Sequence, residues 1–300
     1  MSRPSPQTDR IVTVINLLAA HPEEGFTLSE IARRLGVGKA TCSPMLVALT
    51  SAGFLVRHPT RKTYRLGPAL ITAGQAAAAG FPALEIARPV LVELSNELGV
   101  VAMAVARAGD QLQLVDLAWD HRRHTPTLRV GQELPFRAPW GSVFVATAGS
   151  PGTAVDGWLA RAGITGADAD AYRDALAHTA ARGYAVELQA SSGGQVRALA
   201  EALATAVSER DREQLVDRLL AEVTDREQPL LAAVADDRTY TVGAIDAAVV
   251  DLDGMPILAL SASAFGTPLA RQQIEHVGGI VRAAAAAVSA SLRGASVQPR

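Results

Sequence analysis

The apolar residues Ile11, Val14, Ile15 and Leu18 recur three and four positions apart, which predicts an amphipathic helix from about Asp9, closed by Pro22 and Gly25. A second helix declares its start in "FTLSEIARRLG": Thr27 and Glu30 have capping-box spacing, with Phe26 and Ile31 at the staple positions on either side. Gly36 ends it. "GVG" then makes a turn, and Cys42, Leu46 and Leu49 give a third helix its inward face until Gly53. Two short helices about a tight glycine turn predict a helix-turn-helix. Behind it, "FLVRH" and "TYRL" read as strands joined by the turn "PTRK", a wing.

Pro44 interrupts this scheme. In a helix starting at Lys39 it is the sixth residue, where the missing amide and the clash with the Ala40 carbonyl cost about 3 kcal/mol. With Thr41 as N-cap, Pro44 falls in the first turn, where an amide has no partner to lose. The expectation is a late-starting or kinked helix, with Lys39 and Ala40 in the turn.

After the wing, "GPALITAGQAAAAG" predicts a linker helix over residues 68–80, and the pattern changes near Phe81. "LEIARPVLVELSNELG" is helical, and "VVAMAVARAGDQLQLVDLAW" forms two strands around Ala108 to Asp110. "LRVGQELPFRAPWGSVFVATAG" reads as strand, loop and helix, and "RGYAVEL" as a strand after a helix. "IDAAVVDLDGMPILALSASAF" is a hairpin turning at Asp253-Gly254, and "ARQQIEHVGGIVRAAAAAVSASL" a long helix. Antiparallel pairs flanked by helices define an α+β body. A helical stretch at about 188–240, carrying Leu199, Leu203, Val207, Leu215, Leu219 and Val223 at helical spacing, stands inside it as an insertion. It reads as a helical pair packed on the body or as a surface for a subunit or partner.

Charge sharpens the division. Residues 1–80 hold nine Lys/Arg against four Asp/Glu, and the remaining 220 hold nineteen against twenty-six. A basic head on an acidic body fits a polyanion-binding module on a carrier that avoids nucleic acid. At 300 residues, 49% of them apolar, two domains are expected. With no apolar run of membrane length and no signal sequence at the N-terminus, a cytoplasmic chain without a membrane partner is expected. One cysteine, Cys42, excludes an internal disulfide and reads as a small core residue rather than a redox switch.

The candidate DNA contacts follow from this layout. Arg57, Arg61, Lys62 and Arg65 lie on the wing, where they reach phosphate or a narrow minor groove, or else only solvate an exposed hairpin. On the third helix Lys39, Thr41, Ser43, Pro44 and Val47 are the outward candidates, with Thr50 beside them. Lacking Arg, Asn or Gln for bidentate base contacts, this face predicts readout through thymine methyls, Ser43, the wing and DNA shape.

The order of pieces resembles the IclR family of bacterial transcriptional regulators. The likeness is carried by "TLSEIARRLGVGKATCSPMLVALTSAGFLVRHPTRKTYRLGPAL", by "LPFRAPWGSVFVA" and by "RGYAVE" with "AAVVDLDGMPILALSAS". It implies a winged helix-turn-helix head (1–67), a linker helix and a GAF-like effector-binding and oligomerisation domain (81–300). It also implies dimers through the heads, tetramers through the bodies, and a cup on the sheet for a small organic effector, an acid in many members. Matched by motif, the cup takes Phe136, Arg137, Trp140, Ser261 and Ser263. The bland alternative has Arg137 in solvent and the aromatics in the core. The chain departs from the family where Pro44 replaces a common arginine, Arg137 a histidine, Ser142 a lysine and Ala248 a cysteine, while Gly141 is kept.

"HRRH", His121 to His124, has ligand-like spacing without companions to complete a metal set, so a solvated loop is the stronger reading. No G-x-S-x-G, P-loop, G-x-G-x-x-G or H-E-x-x-H motif appears, and no cofactor or catalytic residue is expected. The reading is a regulator that binds a palindromic operator as a dimer or tetramer and senses a small molecule. Its rivals are a sensor or interaction protein whose head no longer reads DNA, and an enzyme using Arg137 in the cup.

Overall fold

The computed structural model describes residues 5–123, 128–148, 151–189 and 230–297, with single residues or pairs between 198 and 218. Contacts divide the chain into two units, one holding Met1–Gly80 with Glu201–Asp217 and the other Phe81–Ala200 with Arg218–Arg300.

The head begins with α1 (Pro6–Ala20), three residues before the expected start, with Pro6 in the first turn where its missing amide costs nothing. Then come β1 (Phe26–Thr27), α2 (Leu28–Arg34), α3 (Lys39–Ser51), β2 (Leu55–Arg57), β3 (Thr63–Leu66) and α4 (Ala69–Ala79). The capping box is present: the Glu30 amide donates to the Thr27 hydroxyl (3.3 Å) and the Thr27 amide to the Glu30 carboxylate (2.7 Å). The Thr27 hydroxyl also donates to the Glu30 carboxylate (2.8 Å), and the bonds from the Thr27 amide and then the Thr27 hydroxyl hold the Glu30 carboxyl below its ordinary range. Phe26 and Ile31, the staple pair, are buried in one cluster with Val14, Cys42, Leu46 and Tyr64. Burial also pushes the Cys42 thiol up, as suits an inert core residue. β1 adds an unforeseen strand: Phe26 and Thr27 pair antiparallel with Tyr64 and Thr63, giving the sheet order β1-β3-β2.

The third helix corrects the expectation of a late start. α3 starts at Lys39 with Gly38 as its extended N-cap, and the Gly38 carbonyl accepts from the amides of Thr41 and Cys42. Thr41 is therefore inside the helix, and Pro44 is an interior proline. It is tolerated because Ala40 and Pro44 both face outward, so that water replaces the lost amide at the Ala40 carbonyl.

The body opens with α5 (Pro82–Leu98) and the hairpin β4 (Val101–Ala108) and β5 (Gln111–Ala118). β6 (Glu133–Pro135), α6 (Ser142–Thr147), α7 (Pro151–Ala160), α8 (Gly166–Arg182) and β7 (Ala185–Leu188) follow. The chain returns as β8 (Thr239–Tyr240), β9 (Val242–Val250), β10 (Pro256–Ser263), β11 (Leu269–Ala270) and α9 (Arg271–Val297). Six strands form an antiparallel sheet in the order β6-β5-β4-β10-β9-β7, and β8 pairs with β11. The β9–β10 turn forms where expected: the Asp251 carboxylate accepts from the amides of Asp253 (3.0 Å) and Met255 (2.8 Å), and Gly254 has φ +78°.

Both faces of this sheet are covered. Ile245, Ala247 and Val249 of β9 pack with Leu91 of α5 and with Val281 and Val288 of α9. On the other face Ala185 and Ala259 meet Phe144, Trp158, Tyr172 and Leu176 from α6, α7 and α8. Arg182, at the end of α8, donates to the carbonyls of Tyr184, Leu231 and Ala232 (2.7–2.9 Å) and so fixes the returning chain beside β7. The expected insertion is narrower than 188–240: Leu188 ends β7, Leu230 bridges Glu187, and Thr239 begins β8. Leu199, Leu203 and Leu215 are helical, while Val207, Leu219 and Val223 lie outside the described residues.

Candidate nucleic-acid interface and effector site

With 100° per residue, the buried side chains of α3, Cys42, Met45, Leu46 and Leu49, place Ala40, Pro44, Val47 and Ser51 at the centre of the outward face. Lys39 and Ser43 lie on one flank and Thr41 on the other; Val47 is 60% exposed. Thr50 turns inward, its hydroxyl donating to the Leu46 carbonyl at 2.7 Å. The centre of the face is apolar and narrow, a surface suited to thymine methyls and shape rather than to base-edge hydrogen bonds.

The wing turn is organised by His58, whose Nδ1 accepts from the amides of Thr60 (3.3 Å) and Arg61 (3.2 Å). The His58 amide donates to the Thr63 carbonyl at 2.7 Å, and Lys62 takes a left-handed φ of +58°. Arg61 and Lys62 are thereby exposed at the tip. Arg57 lies over the Tyr64 ring at 5.6 Å, still exposed. Arg65 is placed otherwise: it reaches back to donate to the Glu23 carbonyl at 2.6 Å, a bond that ties β3 to the loop before β1.

In the body the sequence-predicted site residues fall into two groups. Phe136 is buried between the guanidinium groups of Arg107 (4.0 Å) and Arg161 (5.4 Å) and edge-on to Phe144. Gly141 has φ +76°, and a Cβ there would collide with the Phe136 ring. Arg137 donates to the Arg161 carbonyl (3.1 Å), and the Trp140 carbonyl accepts from the Trp158 indole (2.8 Å). These contacts build the packing of the loop before α6. Ser261 and Ser263 stand on β10, opposite Met103 and Val101 of β4. Met103 is four residues along β4 from Arg107, whose guanidinium lies over the Phe136 ring. Ser263 donates to the Val101 carbonyl at 3.4 Å.

Around Ser261 the structure adds residues that sequence reasoning passed over. Asp246 pairs across β9–β10 with Ser261 and hydrogen-bonds to it. Asp246 also stands opposite Ala185 of β7, two residues from Glu187, so both carboxylates share one face as diagonal neighbours. Each is partly accessible yet crowded by protein. Desolvation pushes the Asp246 carboxyl up to about 6, against which the Ser261 bond pulls; desolvation and then the Asp246 charge push Glu187 well above its usual range. Tyr172 faces them from α8, and burial, then the charges of Glu187 and Asp168, push its phenol up. Its hydroxyl and that of Ser142 are buried without a hydrogen-bond partner among the described residues. The signal lay in "YAVEL" and "AIDAAVV", where an acid interrupts a strand apolar on both faces. Among the described residues no three His, Cys, Asp or Glu side chains cluster to hold a metal; His121 lies against Trp119, and His124 falls outside those residues.

The model of the IclR helix-turn-helix domain matches residues 7–59, which span α1, α2, α3 and β2. The head is thus similar to the helix-turn-helix domain of the IclR regulators. Among curated proteins, the chain is 30% identical over 126 residues to the HTH-type transcriptional regulator Rv1719 of Mycobacterium tuberculosis, a match covering 42% of this chain and 48% of that one. The chain thus spans about half the length of the curated relatives it matches. The IclR fold extends further. An IclR transcriptional regulator from Alicyclobacillus acidocaldarius superposes with a TM-score of 0.64 at 23% identity, over 97% of this chain and 100% of the other. An IclR homologue from Microbacterium hydrocarbonoxydans, solved in complex with 4-hydroxybenzoate, gives 0.63 at 17% identity over 96% and 99%. Among the described residues no single helix is long and apolar enough to cross a membrane.

Proposed function

We propose that the chain is a sequence-specific transcriptional regulator of the bacterial cytoplasm, without enzymatic activity, that binds a small molecule in its body and DNA through its head. α3 enters the major groove, and Arg61 and Lys62 contact the flanking backbone from the wing. The observation that carries this reading is the capped α2–α3 pair, whose outward face is followed by an ordered basic wing. A homodimer or homotetramer sets two heads on an inverted repeat, and effector binding shifts the population between head spacings through α4. The effector site spans the sheet face from Phe136, Arg137 and Trp140 to Ser261 and Ser263, and a relative with bound 4-hydroxybenzoate supports a small organic ligand. Selection of fragments from a random DNA library tests the reading. An inverted repeat bound about a thousandfold more tightly than scrambled DNA is expected. Equal, feeble binding lost with modest salt would reduce the head to a basic surface.

A further inference from the structure

Glu187 and Asp246 pose a problem of charge. They lie diagonally on neighbouring strands, on the face covered by α6 to α8, and Ser261 supplies one hydrogen bond to Asp246. Among the described residues no lysine, arginine or histidine acts on either carboxylate; the charged and titratable groups facing them are each other, Tyr172 and, through Tyr172, Asp168. Beside these two acids stands the buried Tyr172 hydroxyl, which lacks a hydrogen-bond partner among the described residues. Both residues are half-buried rather than sealed in the core.

We propose that this half-buried pair takes a small organic ammonium ion, whose N–H groups donate to the Glu187 and Asp246 carboxylates. The phenol of Tyr172 completes the polar wall by donating to the ligand or to the carboxylate that the ligand draws toward itself. The ammonium neutralises a pair that otherwise retains a proton, so its binding displaces that proton to solvent. A carboxylate ligand in the same place would add a third negative charge. The inference rests on the body's being an effector domain and names the charge of its effector as opposite to that of the acid suggested by family likeness.

The test is calorimetry on the full chain with small primary amines, each matched to the carboxylate of the same skeleton, 4-hydroxybenzylamine against 4-hydroxybenzoate among them. Amines are expected to bind at least about tenfold more tightly than their partners and to release protons, read from the buffer dependence of the heat. The double variant Glu187→Gln, Asp246→Asn should lose that preference by about tenfold or more, and Tyr172→Phe a smaller part of it. Both retain native shape, to be checked by thermal melts. The inference is overturned if the acids bind better, if no amine binds, or if amines bind the double variant unchanged. Operator binding measured on the same protein separates the two readings. An acid that binds and releases DNA leaves a regulator with a different effector, whereas absence of sequence-specific DNA binding removes the regulator whatever the amines do.

Discussion

The Tyr184 ring rests on the backbone of Gly278, so closely that a methyl group at Gly278 would overlap the ring carbons. Tyr184 introduces β7, and Gly278 lies in α9, so this contact sets how near the long helix approaches the sheet. The neighbouring Gly279 has open space at the same point. Gly278→Ala should destabilise the body by about 1–3 kcal/mol through overpacking, while Gly279→Ala should stabilise it by about 0.5–1 kcal/mol through helix propensity. Urea unfolding of the two variants decides this. Equal effects would mean that Tyr184 moves aside freely.

Pro44 sits on the outward face of α3 and makes none of the head's core contacts. Pro44→Ala restores an amide to the Ala40 carbonyl and removes the ring that crowds it. Hydrogen exchange on α3 should slow as the helix gains about 1–3 kcal/mol. Unchanged protection would mean that the helix already relieves the clash by bending.

Arg61 and Lys62 are held at the wing tip by the His58 turn, whereas Arg65 is bonded to Glu23. Replacing Arg61 or Lys62 by Ala should weaken binding to all DNA sequences alike and lower the slope of log affinity against log salt by about one each. Arg65→Ala should act instead on wing stability. A sequence-dependent loss at Arg61 would assign it to a groove rather than to phosphate.

The acid pair predicts a pH dependence of fold stability. Asp246, ordinarily near 3.8, is pushed up to about 6, and Glu187 moves in the same direction. Between those values the native chain holds protons that the unfolded chain has released. The contribution of Asp246 is therefore full below about pH 4 and is lost as pH rises through about 6. Asp246→Asn removes this loss, so its gain in urea stability over the native sequence should be larger at pH 8 than at pH 5. A gain independent of pH would show that the group does not titrate in that window.

Most of the head could be read from residues 11–66, because capping, glycine turns and the spacing of Val14, Leu18, Cys42 and Leu46 all act locally. Pro44 misled because propensity weighs a lost amide without knowing that the orphaned carbonyl faces water. β1 escaped notice since its two residues were already explained as staple and cap, and pairing with Tyr64 and Thr63 is a long-range event. In the body, alternation found the two hairpins, but register decides which side chains meet. Glu187 and Asp246 are 59 positions apart in the chain and become neighbours only through the β7–β9 pairing.

The strand β3 lies between β1 and β2, with Arg65 fastened to the preceding loop, so only His58 to Lys62 extend beyond the sheet. Even this span is closed by its own hydrogen bonds. In a head built this way the wing backbone is ordered before anything docks on it, so the entropy that docking costs at the tip falls on the exposed side chains of Arg61 and Lys62 rather than on the loop.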